Sequence, residues 1–238
     1  MTTTVTGWRM WAVEPPTEIS LSYRPILTGP TVESRDTTRI GVPWKGVRDT
    51  ATCDSTTHQP PNIECGCGVY AEALTTRAMS HTIEAAIELK HRHNALQQQS
   101  GPFPVPAPPM LILGQIELSG RIVVDCTMVA PGAPHHIPPE YRPYAGTVPE
   151  YRAQTGELKK LWVTGLPDPT KAREISDALR RTYRLPALLG LPKGADLQLP
   201  PVPDELPRER NPNSILVSVA DMQAMAGLIL RNPEESQR

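Results

Sequence analysis

Met110-Leu-Ile-Leu-Gly-Gln-Ile-Glu-Leu-Ser-Gly-Arg-Ile-Val-Val-Asp-Cys-Thr-Met128 carries the clearest pattern in the chain. Its even positions are Met110, Ile112, Gly114, Ile116, Leu118, Gly120, Ile122, Val124, Cys126 and Met128, whereas the odd positions from Gln115 to Arg121 are Gln, Glu, Ser and Arg. Side chains of a strand alternate between faces, so a period of two means one buried and one wet face. The phase survives both glycines, which favours one long strand bent at Gly114 and Gly120, as at a barrel corner. Two strands joined by a tight turn at Ser119-Gly120 are the alternative. Either way the stretch is the spine of an antiparallel sheet, and Cys126, on its buried phase, reads as a packed inert thiol.

Working outward, Ile19, Leu21 and Tyr23 alternate as in a short half-buried strand, and Val42-Pro-Trp44-Lys-Gly46 reads as a strand end or turn. Residues 72–97 predict a helix with Leu74, Ala78, Ile83, Ala86 and Ile87 near one face, ended by Gln97-Gln-Gln-Ser-Gly101. Pro102 to Pro109 is an extended connector. Leu158–Val163 is a strand candidate. Asp168-Pro169 signals a helix start, with Asp at the N-cap and Pro in the first turn. That helix stripes Ala172, Ile175, Ala178, Leu179, Thr182 and Tyr183, and Pro186 stops it. Residues 190–213 are again proline-rich, followed by a strand at Ile215–Val219 and a short apolar helix at Asp221–Leu230.

The resulting class is α+β: an antiparallel sheet of barrel-like curvature, two or three helices and long proline-rich connectors. The chain divides into a Trp-bearing strand and loop segment at 1–43, a core at 44–186, and a proline-rich connector with a terminal strand and helix at 187–238.

Composition bounds function more than it identifies it. Hydrophobic residues make up 39% of the 238 positions, with a single Phe, so the core is built from Leu, Ile, Val, Ala and Met. The 28 prolines are roughly twice the usual share of about 5% and belong mostly to connections, since proline lacks a backbone donor. Lys+Arg at 24 against Asp+Glu at 25 leaves a formal charge of −1, which gives no global field for nucleic acid or an anionic membrane. The N-terminus lacks the basic and apolar regions of a secretory signal, and no run approaches the ~20 apolar residues of a membrane span. The expectation is a soluble cytoplasmic protein with reduced thiols.

The sharpest chemical signal is Cys53-Asp-Ser-Thr-Thr-His58-Gln-Pro-Pro-Asn-Ile-Glu-Cys65-Gly-Cys67-Gly68. Cys53, His58, Cys65 and Cys67 are the ligand set of a Cys3His structural zinc site, tetrahedral and coordinatively closed. Pro60 and Pro61 stiffen the loop, while Gly66 and Gly68 let the backbone fold tightly near an ion. The C-x-C spacing is less common than the C-x2-C of zinc ribbons. An ordinary glycine turn, with His58 exposed, accounts for the same residues without a metal, so both readings stay open.

Other candidates are weaker. His91 and His93 sit two apart on a helix and point to different sides, and His135-His136 reads as a solvated loop. No G-x-S-x-G elbow, phosphate loop, G-x-G-x-x-G or H-E-x-x-H is present, which disfavours an enzyme; a metal-dependent enzyme at the Cys/His loop is retained as the remoter alternative. Arg173, Arg180, Arg181 and Arg184 decorate the helix after Asp168 and form, with the Cys/His loop, a nucleic-acid-binding alternative, although such a run is usually a solvated face.

Trp44, Ala51-Thr-Cys53, His58-Gln-Pro60 and Cys65-Gly-Cys67-Gly68-Val-Tyr70-Ala71 together resemble a family of actinobacterial and actinobacteriophage proteins with a C…H…P…C-x-C-G-[ILV]-Y-A stretch. A following G-x-V-x-L-x-G-R-V-like strand in that family is similar to Gly114–Ile122 here, and Tyr151-Arg152-Ala153 and Arg181-Thr-Tyr183-Arg-Leu-Pro186 are similar to its later elements. The likeness spans residues 44–186; Ser119 replaces the usual bulky residue, and 130–149 look inserted. The resemblance implies a shared small fold, recurrent Cys/His spacing and no assigned activity, and for a phage-encoded member it implies action in the host cytoplasm. The leading expectation is a non-catalytic interaction protein, pinned at its Cys/His loop, whose Trp8, Trp11 and Trp44 offer surface to a protein partner.

Overall fold

The alternation along 110–128 becomes a single strand. The computed structural model describes residues 4–16, 23–29, 43–53, 58–62, 65, 67–101, 103–129, 146–166 and 168–197. In chain order these hold β1 (Val5–Val13), β2 (Arg48–Thr50), β3 (Val69–Glu72), α1 (Thr75–Ser100), β4 (Met110–Val129), β5 (Gly146–Val163), α2 (Ala172–Tyr183) and β6 (Ala187–Leu189), with a 3-10 turn at Gly194–Leu197. The class is α+β, with two α-helices among the described residues.

β4 and β5 form a long antiparallel ribbon running from Ile112↔Val163 to Val129↔Gly146. β1 lies on the other edge of β4, from Val5↔Leu118 to Val13↔Met110, so the N-terminal segment belongs to the same sheet as the core stretch. β3 pairs with β5 and touches β1 through Trp8↔Glu72, which brings the sheet round on itself. That last seam is one residue pair wide, and β2 and the parallel strand β6 hang from β5, so the ring is not a clean barrel.

Two register shifts bend the ribbon. Between Ser119 and Ile122 β4 carries an extra residue, and Gly120 there has φ +80°, the left-handed conformation a glycine bulge uses. The other lies between Gln115 and Ile116, where the extra residue, Lys159, is on β5. Gly114 stays in register with Leu161 and is needed for a steric reason instead. A Cβ there would sit 2.6 Å from Trp11 Cζ3 and 2.9 Å from Leu161 Cδ2, so the absent side chain makes room for an indole. One bent strand is therefore correct, and the turn at Ser119-Gly120 is not formed.

Even positions Met110, Ile112, Ile116, Leu118 and Ile122 face a core shared with Trp11, Trp44, Tyr151, Leu158, Leu161 and the α2 residues Ile175, Leu179 and Tyr183. Near the start of β4 the odd face is buried as well, since Leu113 packs with Trp8, Trp162 and the α1 residues Ala78 and Met79. Coverage on both faces explains the unbroken apolar run Met110–Leu113. Fully burying an aliphatic side chain of this kind contributes about 1.5–3 kcal/mol, so this run anchors the start of β4.

The helices differ from expectation in detail. α1 starts three residues later than the pattern predicts and buries Thr75, Ala78, Met79, Thr82 and Ala86 while Ile83 and Ile87 are only half-buried, because the sheet meets the face carrying Met79. α2 begins at Ala172, not beside Asp168. Asp168 Oδ1 instead accepts hydrogen bonds from the Thr170 N–H (2.9 Å) and hydroxyl (2.8 Å), capping the turn that leads into the helix. Those hydrogen bonds hold the Asp168 carboxyl below its ordinary pKa. Thr182 is exposed instead of lying in the buried stripe. β5 extends well upstream of Leu158, so Gly146–Pro149, part of the stretch that looks inserted, belong to a strand. Ile19, Leu21, His135-His136, Ile215–Val219, Asp221–Leu230 and the Cys126 side chain lie outside the described residues.

Candidate metal centre

The position of the Cys/His loop follows from strand pairing. β2 pairs Arg48–Thr50 with Glu157–Thr155, and the Ala51 N–H then donates to the Gln154 carbonyl at 2.8 Å. β3 resumes with Val69↔Ala153 and runs to Glu72↔Glu150. The two strands therefore occupy consecutive places on one edge of β5 and run the same way. In effect they are one strand interrupted by residues 52–68, and the two ends of the interruption meet on β5. Connections longer than about 12–15 residues are uncommon in compact domains and are usually functional or linkers.

The four sequence candidates lie around this neck. Cys53 follows the exit from β2, Cys67 precedes the entry to β3, and His58 and Cys65 come from the loop body. One donor atom from each lies within 4.8 Å of all the others. Cys53 Sγ is 3.7 Å from Cys65 Sγ, and Cys67 Sγ is 3.3 Å from His58 Nε2. Zn–S bonds of about 2.3 Å and Zn–N bonds of about 2.0–2.1 Å set tetrahedral edges of about 3.8 Å between sulfurs and about 3.5 Å between sulfur and nitrogen. These two separations lie near those edges, and the sulfur–sulfur one far exceeds the ~2.05 Å of a disulfide. All three thiols are free.

Backbone donors complete the sulfur environment. The Cys67 N–H points at Cys65 Sγ and, with the Cys53 thiol, holds the Cys65 thiol below its ordinary pKa. The Asn62 N–H points at Cys67 Sγ, but burial is the larger influence there and pushes the Cys67 thiol up. An antiparallel bridge between Asn62 and Cys65, with the Cys65 N–H donating to the Asn62 carbonyl at 3.2 Å, makes the tight turn that presents both sulfurs. Gly68 has φ +138°, and a Cβ there would lie 3.0 Å from Arg152 Cβ, so the re-entry to β3 requires glycine.

Arg152 was not among the sequence candidates, although it lies in the Tyr151-Arg152-Ala153 element noted above. It is 3% exposed, and its Nη1 donates to the carbonyls of Asn62 (2.8 Å), Cys67 (3.2 Å) and Cys65. Its guanidinium also lies 5.9 Å from the Tyr70 ring centroid. One cation on β5 thus holds three carbonyls of the excursion. The sequence signal was a lone arginine between two core residues, Tyr151 and Ala153, in a strand.

The other expected sites fare differently. Trp8, Trp11 and Trp44 do not offer partner surface: they are 0%, 0% and 6% exposed. Trp8 and Trp11 fall on opposite faces of β1 and both faces are covered, Trp8 lying tilted by 44° against Trp162 (centroids 5.0 Å apart) and Trp11 meeting Trp44 edge-on at 5.3 Å. With one phenylalanine in the chain, the indoles supply the large core volume. Arg173, Arg180, Arg181 and Arg184 are all exposed on or just beyond α2. Arg180 is engaged locally, its Nε donating to the Ala187 carbonyl at 2.8 Å and its Nη1 pairing with Asp177. His91 is exposed and His93 half-buried on α1, outside the cluster.

Among the described residues, no helix is long and apolar enough to cross a membrane. No known protein family matches the chain, and no curated protein or solved structure matches it either.

Proposed function

We propose that this chain is a non-catalytic interaction protein in which a structural zinc ion, held by Cys53, His58, Cys65 and Cys67, fixes the 52–68 excursion as a recognition element for a protein partner. The observation that carries the reading is the Cys3His cluster at the neck of an interrupted strand, with all four donors within 4.8 Å of one another and two of the pairs near tetrahedral edges. Four protein donors close the coordination shell and leave no open position for substrate, which favours a structural over a catalytic ion. Zinc with three thiolates and a neutral imidazole carries a net charge of −1, and the buried Arg152 guanidinium supplies the matching positive charge beside Cys65. The N–H groups aimed at Cys65 and Cys67 are the donors that thiolate ligands require once their protons are lost.

The ion would cross-link Cys53 at one side of the neck to Cys67 at the other. That removes loop-closure entropy from residues 52–68 in the way a disulfide would, and leaves the strand pairing on β5 to the backbone.

Cobalt(II) substitution tests the metal site. Tetrahedral Cys3His coordination gives intense visible d–d bands and a sulfur-to-cobalt charge-transfer band that zinc displaces. Absence of these bands in reduced protein would remove the metal from the account. Partner capture with wild type and Cys65→Ser then tests the loop. Enrichment lost in a variant that retains its far-UV spectrum supports recognition through the excursion, whereas equal enrichment places the binding surface elsewhere.

A further inference from the structure

The three thiols are not equivalent. Cys53 and Cys65 are half-buried with sulfurs 3.7 Å apart, whereas Cys67 is buried beneath the turn. Eleven residues separate Cys53 from Cys65 in sequence, whereas Cys65 and Cys67 flank a single residue. We propose that Cys53 and Cys65 form a redox latch: a peroxide-class oxidant joins them as a disulfide, expels the zinc ion and releases the 52–68 excursion while the sheet stays paired. The inference rests on the zinc reading above.

The chemistry balances within the pair. The Cys65 sulfur attacks one peroxide oxygen, the O–O bond breaks and hydroxide leaves, giving a sulfenic acid. The Cys53 thiolate then attacks that sulfur, the S–S bond forms, the S–O bond breaks and a second hydroxide leaves. Two electrons pass from the two sulfurs to the peroxide, and solvent protons convert both hydroxides to water. The ion keeps only His58 and Cys67, too few to retain it. Dithiol reduction reverses the disulfide, and added zinc refills the site.

Access favours this pair. Cys53 and Cys65 are half-buried and face each other at 3.7 Å, whereas Cys67 is buried. Loss of the ion leaves the sheet intact because β2 and β3 hold their places on β5 by ladder hydrogen bonds and not through the loop.

The test uses the full reduced chain loaded with zinc, treated with hydrogen peroxide in the presence of a chromophoric zinc chelator. Zinc content is first fixed by elemental mass spectrometry. The expected result is release of about one zinc per chain in step with the loss of two thiols, a Cys53–Cys65 cross-linked peptide by mass spectrometry, and recovery with dithiothreitol and zinc. Hydrogen exchange should quicken within residues 51–68 alone. Zinc retained after oxidation of both sulfurs, a disulfide mapped to Cys67, or sulfinic acid without a cross-link would overturn the latch and leave the structural site standing. A reduced chain that binds no zinc would overturn both, and that outcome is read before oxidant is added.

Discussion

Arg152→Met is the substitution that probes the site from beneath. It keeps an unbranched apolar stem and removes the charge and all donors. The wild-type guanidinium serves three carbonyls, of which that of Cys67 is in a buried bond and those of Asn62 and Cys65 are partly reached by solvent. A hydrogen bond from a charged donor contributes about 1.5–3 kcal/mol, and stranding a buried acceptor costs about 1–3 kcal/mol. Water can replace much of what the two half-exposed carbonyls lose, so the expected destabilisation is ~2–5 kcal/mol by the same measure. Arg152→Lys should recover part of it, since all three carbonyls are reached by the single nitrogen Nη1 and an ammonium likewise carries its charge and three donors on one nitrogen. The assay is urea unfolding of wild type and both variants in zinc-saturated buffer, read as the midpoint at constant slope. A loss below about 0.5 kcal/mol for Arg152→Met, the range of an ordinary surface change, would refute the reasoning.

Three further outcomes follow from the same geometry. Gly114→Ala drives a methyl to 2.6 Å from Trp11 in a fully packed region and should cost ~1–3 kcal/mol, while Gly46→Ala, with nothing within 4 Å, should be nearly neutral; equal midpoints for the two would contradict the close approach. Burial raises the Tyr151 phenol to about 12, so the folded chain keeps a proton that the unfolded chain loses near pH 10. The contribution is intact below about pH 10 and falls by about 1.4 kcal/mol per pH unit as pH rises from there towards the folded value. Tyr151→Phe should flatten that alkaline decline, and an unchanged pH slope would count against burial of the hydroxyl. Chelation of the metal should speed amide exchange within 51–68 and leave 110–124 protected; a uniform loss of protection would show that the ion holds the whole sheet.

The sequence carried the fold where its information was local. Period-two alternation from Met110 to Val124 identified β4 and its buried face, and Gly120 marked the bulge, because both depend on the strand's own residues. The second bulge, at Lys159, left no mark, since any residue can occupy it and only the pairing register reveals it. Trp8 and Trp11 were misread because exposure is not a property of the residue: three apart in a strand, they need two covered faces, and the covers come from α1 and α2, far along the chain. The cluster members were legible from residue type and spacing. Their convergence was not, because it depends on β2 and β3 sharing one edge of β5 across residues 52–68. Arg152 was hidden for the same reason, its acceptors lying some ninety positions upstream.

The central claim is that Cys53, His58, Cys65 and Cys67 hold one structural zinc, and its most direct test is elemental mass spectrometry of the reduced, desalted protein beside Cys65→Ser. The account predicts about one zinc per wild-type chain and a large loss in the variant, whose sheet signals persist. A wild-type chain free of zinc after reconstitution, or a variant that binds as much, would contradict it.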